Sequence, residues 1–529
     1  MTESKVSPPL IIKFDETINS QKLQENLEGR YQSRYVYITA LTVLVLMSMS
    51  DSEDFKVDST INSNKIPGNV KRKYRLCRMY IETLTANILL IAAGFTLNWA
   101  APVLPMLLSN NTDINPLGRQ ISTLEVSFLV ATPNITGFLG FYIMAKVSDR
   151  FGRKATMIFS AIIHAFSFNV IAFIGNIYSY YICLLLIGIG FSGIVVSVSV
   201  YNVEISDKHN RDRVSSIVGI GIPMGVLLSF LFGSVTSVKV FSIINAVPAF
   251  LFLILGPFII IESPVYHCLR GRRNEALISL ERLRRFACQR EIETEYLEIL
   301  SNVKERGERK NSVIDLFKTK ASKRALLLSI FLSTGRQTSG LPLVMTFIGI
   351  IFKDTGSSLS GNRIGILLGL EQVISIIPMI YFIKKLDRRY FVLASCLVAS
   401  FSLFTLSLSL YLEHSDYNFK EYIRWLPPVS ALLFMLGYNL GYGPLSLSLS
   451  GELFNNNLRS IGVGVGLLME CLCTFVVKFT FPLLIEALGL HFSLAIFTVT
   501  GLVNFTVFYR FLPETREKSL REIQKLLEN

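Results

Sequence analysis

Apolar blocks long enough to cross a bilayer recur along most of this chain, separated by shorter polar segments. A spanning helix needs about 20 mostly apolar residues. In lipid, backbone groups must pair within their own segment, so these blocks are read as helices. The pattern predicts twelve: 81–107, 124–146, 155–175, 177–203, 214–235, 240–261, 324–353, 361–384, 390–412, 426–454, 460–487 and 490–512. One long polar interruption, 262–323, follows the sixth. Its spacing predicts short amphipathic helices over Asn274–Phe286 and Glu291–Val303.

Composition supports this reading. Of 529 residues, 51% are hydrophobic and 17% charged, whereas soluble domains carry about a quarter charged. The net charge of +13 would suit a nucleic-acid partner, but its placement argues for topology instead. The first connection holds Arg119 alone, and the second holds Lys146, Arg150, Arg153 and Lys154. The third, 174–179, has no Lys or Arg, while the fourth has Lys208, Arg211 and Arg213. The central loop is densely basic, and the eighth-to-ninth connection has Lys384, Lys385, Arg388 and Arg389. Even-numbered connections and both termini are therefore expected on the cytoplasmic side of the plasma membrane. Asn110 begins a glycosylation sequon in the first outer loop; the sequons at Asn134 and Asn504 fall inside predicted helices and are read as chance.

Two halves repeat in the same order. Asp149-Arg150 and Asp387-Arg388 each follow the second helix of a half. Glu204 precedes Arg211 by seven residues and Glu452 precedes Arg459 by seven, each after a fourth helix. Glu262-Ser263-Pro264 and Pro513-Glu514-Thr515 each end a sixth. The fold class predicted is an all-α membrane protein with two duplicated six-helix halves, 80–261 and 324–512, and a transport path between them. A helical cytoplasmic linker, 262–323, and a cytoplasmic tail, 513–529, complete it. Residues 1–79 are read as a cytoplasmic segment. Within it, Asp15–Leu46 resembles Asp58–Leu89 at an offset of 43, so Tyr35–Met49 is a truncated copy of the start of helix one. Such a copy suggests two alternative first exons joined in one chain, with residues 1–57 outside transport.

Enzyme readings find no support. The seven cysteines show no zinc-like spacing with histidine, there is no Walker A motif, and no Ser/His/Asp or metal constellation stands out. His164 is read as a packed helix residue, and no cofactor is expected.

Motifs across residues 80–527 carry a family resemblance. They include Asn98-Trp99-Ala100-Ala101-Pro102-Val103-Leu104-Pro105, Asp149-Arg150-Phe151-Gly152-Arg153-Lys154, Tyr201 with Glu204 and Arg211, and Glu262-Ser263-Pro264 followed by Gly271-Arg272. Further along come Ile351-Phe352 with Gly356, Gly443-Pro444 with Glu452-Leu453-Phe454, and Pro513-Glu514-Thr515-Arg516 with Ser519-Leu520. The chain resembles the sugar porters of the major facilitator superfamily, and within them the facilitated trehalose transporter-like proteins of insects. The resemblance implies a small solute as partner, held between the halves. It also implies a cytoplasmic charge network formed by Asp149, Arg150, Arg153, Lys154, Glu204, Arg211 and Glu262 under one half. Asp387, Arg388, Arg389, Glu452, Arg459 and Glu514 would form its counterpart under the other. Pairs that close when the inner side is shut would act as a latch. Ala145, Asp212 and Ser460 stand where the family has glycine, and the second-half loop is about three residues shorter.

The implied sugar cavity departs further. The helix-five Gln position is Gly219, and helix seven reads Arg336-Gln337-Thr338-Ser339-Gly340-Leu341-Pro342, keeping only the second Gln of the family motif. Leu447 replaces a Trp, and Glu470-Cys471 replaces Asn-Trp. Arg336 and Glu470 both fall roughly 15–17 Å into the bilayer at about 1.5 Å per residue. Glu371 reaches a similar depth from outside. Intramembrane charges normally face a partner or a cavity, so Arg336 is expected to pair with Glu470, with Glu371 the competing partner. Three readings stay open: a sugar path beside a structural ion pair, a site for a charged or zwitterionic solute, and a receptor-like protein without flux. Thr96 occupies the position where proton-coupled relatives often carry Asp, which favours facilitated diffusion; Glu371 or Glu470 could still carry a proton.

Overall fold

The computed structural model describes residues 68–529 except 208–209, 285–286, 309–311, 354–358, 377, 380–384, 386, 415–423, 456, 517, 519 and 529. The truncated copy at Tyr35–Met49 lies outside the described residues. Among the described residues, all regular structure is helical.

The first half contains six spans: Gly68–Asn98 continued by Ala100–Leu107, Thr123–Phe151, Arg153–Phe173, Ile177–Ile205, Arg211–Gly233 and Val238–Ile259. The second half contains Lys320–Thr338 continued by Leu341–Ile351, Gly361–Ile374, Arg388–His414, Leu426–Glu452, Arg459–Leu488 and Leu490–Phe511. Among the described residues, nine of the twelve are long and apolar enough to cross a membrane by length and composition. The other three are the seventh, eighth and tenth. The seventh breaks at Gly340, whose φ of 100° is left-handed and closes the preceding helix, while Pro342 starts the next. The tenth passes through a π-helical turn, Tyr438–Tyr442. The eighth is helical over Gly361–Ile374 and again at residues 376, 378 and 379, and the remainder of the predicted span to 384 lies outside the described residues.

Several helices outrun the predicted spans. The first starts at Gly68 rather than 81, and the second ends at Phe151 rather than 146. Hydropathy marks where lipid begins, but a helix continues into water as long as its residues favour it. Polar caps set several starts. Ser122 and Glu125 form a capping box at the second span, and Asn176, Ser237 and Thr319 cap the fourth, sixth and seventh.

The linker forms helices at Pro264–Leu269, Arg273–Leu283 and Gln289–Glu308 and a short 3-10 turn at Val313–Phe317. Arg284, nearly fully buried, fastens the linker to the first half. It donates to the Ile205 carbonyl at 3.0 Å and pairs with Asp207 at 2.7 Å and Glu295 at 2.9 Å. The tail, read from sequence only as a tail, adds a helix at Leu520–Glu528 under the second half. Gln524 donates to the Leu453 carbonyl at 2.7 Å, and Arg324 to the Leu527 carbonyl at 3.0 Å. Linker and tail thus occupy equivalent places after the sixth and twelfth spans.

The halves meet along the second and eleventh spans, the fifth and eighth, and the segments Ala100–Leu107 and Leu341–Ile351 of the first and seventh. Phe128 and Phe479 cross edge-to-face at 5.1 Å between ring centres, and Gly349 lies against Pro105. Gly365 lies against Phe230, and Gly369 against Leu227. These contacts fall toward the end of the bundle that carries the 108–122 connection.

Candidate solute site and its flanking charge clusters

At the charged end of the first half, Gly152 separates the second and third spans with φ 102°. A Cβ there would sit 2.2 Å from Glu262 Oε2, so only glycine lets the carboxylate reach the start of the third span. Glu262 Oε1 accepts from the Arg153 N–H at 2.9 Å, and Oε2 accepts from the Lys154 N–H at 3.2 Å. A carboxylate over free N–H groups at a helix start is well placed. Burial nonetheless holds the Glu262 carboxyl above its usual range. The Arg153 side chain, almost fully buried, grips both oxygens of Glu204, at 3.0 and 2.9 Å, and also meets Asp149 at 3.1 Å. Lys154 Nζ donates to the Pro257 carbonyl at 2.7 Å. Arg150 contributes its carbonyl, which accepts from the Tyr266 hydroxyl at 3.1 Å.

The second half repeats the plan without the glycine. Glu514 Oε2 accepts from the Arg389 N–H at 2.9 Å at the start of the ninth span. Arg388 pairs with Glu452, and Arg516 meets Asp387 at 3.5 Å. Two expected members stand apart: Arg211 and Arg459 are exposed and form no ion pair with a described residue. The named pairs each lie within one half. They tie span ends together there rather than joining one half to the other, so separating the halves does not require breaking them.

Deeper in, the seventh-span break, the π turn and the eleventh span converge. Arg336 occupies the last turn of Lys320–Thr338, where the helix dipole favours a cation. It pairs with Glu470 and donates to the Gly443 carbonyl at 3.3 Å. Gln337 Nε2 donates to the same Glu470 oxygen at 2.6 Å. Glu371 is not the partner of Arg336; its Oε2 accepts from Asn439 Nδ2 at 2.8 Å, on the π turn. The other Glu371 oxygen is buried without a hydrogen bond to any described residue. A Cβ on Gly219 would meet no heavy atom within 4 Å, and Leu447 is exposed. Asn110 is exposed in the first connection, whereas Asn504 is buried, donating to Thr338 Oγ1 at 3.1 Å.

Between the halves lies a cavity whose walls include Thr96, Trp99, Asn134, Phe141 and Phe191 from the first half and Cys471 and Lys478 from the second. His164, fully buried as predicted for a packed residue, also bonds Thr96 at 2.9 Å. Sequence reading passed over Lys478, although a lysine inside the apolar run Phe475–Phe481 was a visible signal. It also passed over Glu82, which is fully buried, accepts from the Tyr201 hydroxyl, and pairs with Arg78 at 2.9 Å.

Comparison with known proteins places this architecture. The family model described as sugar (and other) transporter matches residues 39–527. The facilitated trehalose transporter Tret1 of Culex quinquefasciatus is 26% identical over 442 residues, covering 82% of this chain and 83% of that protein. The Tret1 of Aedes aegypti is 27% identical over 445 residues, covering 82% of this chain and 53% of that longer protein. Among solved structures, the inward-open xylose transporter XylE from E. coli matches with a TM-score of 0.70 at 19% identity, over 85% of this chain and 99% of that one. The proton:xylose symporter XylE bound to 6-bromo-6-deoxy-D-glucose matches at 0.66 and 20% identity, over 86% and 100%. With twelve spans in two halves around a shared cavity, and with the family model matching most of its length, this chain belongs to the sugar (and other) transporter family, whose members are membrane transporters and not enzymes.

Proposed function

We propose that the protein carries a sugar of the trehalose or hexose class across the plasma membrane by facilitated diffusion. The observation that carries this reading is the cavity shared by two six-helix halves, which meet at one end of the bundle. The solute occupies the space between them while residues 80–261 and 324–512 rock as units. The charge clusters at Arg153–Glu204–Glu262 and Arg388–Glu452 keep each half rigid during that motion. The linker 262–323 and tail 513–529 lie with both termini in the cytoplasm, and Asn110 carries a glycan outside. Protons play no obligatory part, since Thr96 is engaged with His164 and offers no carboxylate.

A charged or zwitterionic solute is the second reading. It is favoured by Gln337, the amide retained from the family motif, being bonded to Glu470 beside Arg336. Counterflow of labelled trehalose and glucose in proteoliposomes tests the first reading. Saturable exchange that needs no pH gradient supports it, and equal traces with empty liposomes rule it out.

A further inference from the structure

Lys478 lies midway through the outer half of the eleventh span, Arg459–Leu488, and is more than nine-tenths buried. It lines the cavity between the halves together with Thr96, Trp99, Asn134 and Phe191. No carboxylate of a described residue stands within ion-pair distance of it. Glu470, eight residues away on the same helix, is already matched by Arg336, and Glu371 is bonded to Asn439 instead. The Arg336–Glu470 pair is neutral as a unit, so Lys478 leaves this wall of the cavity with one uncompensated positive charge.

A buried ammonium without a counter-charge costs several kcal/mol. A ligand that brings an anion removes that cost, and a neutral sugar does not. Neighbouring walls offer polar and aromatic partners to the hydroxylated part of such a ligand. Asn134 commits its amide N–H groups to the Val130 and Ala131 carbonyls, at 3.3 and 3.2 Å, which leaves its carbonyl oxygen to accept from a hydroxyl. Trp99, Phe141 and Phe191 supply aromatic walls. We infer that the solute is a sugar acid, a hydroxylated ring bearing one carboxylate, with that carboxylate held on Lys478 Nζ. This rests on the transport reading and joins its two alternatives, a sugar ring that carries a charge.

The test uses the full-length protein in proteoliposomes with labelled D-glucuronate and D-glucose as probes, each assayed in wild type, Lys478→Met and Lys478→Arg. A charge-assisted hydrogen bond corresponds to roughly tenfold or more in affinity. The wild type is expected to prefer glucuronate. Lys478→Met should lower the glucuronate-to-glucose flux ratio at least tenfold, and Lys478→Arg should recover most of it. An inside-negative potassium diffusion potential should slow glucuronate entry and leave glucose entry unchanged. Glucose flux with no glucuronate flux, or a ratio unmoved by Lys478→Met, overturns the assignment and leaves sugar transport standing. Absence of flux for both probes overturns this assignment, and labelled trehalose run alongside decides whether the transport reading falls with it.

Discussion

Arg336 and Glu470 face each other within the second half, one at the C-terminal end of a broken helix and the other midway along the eleventh span. Gln337 completes the group by donating to Glu470 at 2.6 Å. Removing one partner from a partly buried pair strands the other charge, a cost that reaches about 3–5 kcal/mol for a fully buried pair, whereas removing both avoids that penalty. Arg336→Gln and Glu470→Asn should each sharply lower thermal stability in detergent. The double variant should recover most of the loss. A double variant no more stable than either single one would rule out the coupling.

Gly152 and Glu262 make a second closely fitted contact. Alanine at 152 must adopt a φ of 102° and would place its Cβ 2.2 Å from the Glu262 carboxylate. The backbone strain alone is about 1–3 kcal/mol. Gly152→Ala should therefore lower the melting temperature measurably. The same change at Gly271, also at positive φ but with nothing within 4 Å of the added Cβ, should cost less. Equal losses at both sites would show that contact with Glu262 adds nothing.

Glu262 also predicts a pH dependence. Burial raises its carboxyl above the ordinary value, although the backbone N–H groups of Ser263, Arg153 and Lys154 pull the other way. A raised carboxyl pKa means that the folded state holds the proton more tightly than the unfolded chain. The contribution of this group to stability is therefore fully present below the unfolded pKa and is lost as pH rises through the folded one. Glu262→Gln removes the titration. The melting temperature of the glutamine variant relative to wild type should rise as pH is raised from about 4 toward neutral. A difference that does not change with pH would contradict the raised pKa.

Phe128 and Phe479 help close one end of the path between the halves, crossing edge-to-face at 5.1 Å. Such a pair contributes roughly 0.5–1.5 kcal/mol beyond its buried area, enough to shift a two-state equilibrium roughly two- to tenfold. Phe479→Ala should therefore expose the cavity to the outside more often. Cys471 lines that cavity, so its labelling by an impermeant maleimide in right-side-out vesicles reports the change. Labelling should accelerate by that factor in Phe479→Ala, and an unchanged rate would argue against a gate here.

The number of spans, their order, the duplication into halves and the polar linker were all legible in the linear pattern. Lipid imposes length and apolarity on each span separately, so local composition carries that information. The pairing of Arg336 with Glu470 was also foreseen, because two opposite charges at similar depth have few partners to choose from. Helix ends were less legible: the second span runs on to Phe151 because water tolerates helical polar residues as readily as loops. Other features were decided only by tertiary packing. The π turn, the position of Asn439 beside Glu371, and the lack of a described carboxylate within ion-pair distance of Lys478 depend on which helix faces which. A side chain's partner is set by the three-dimensional approach of segments far apart in the chain, and hydropathy along one strand of sequence does not encode that approach.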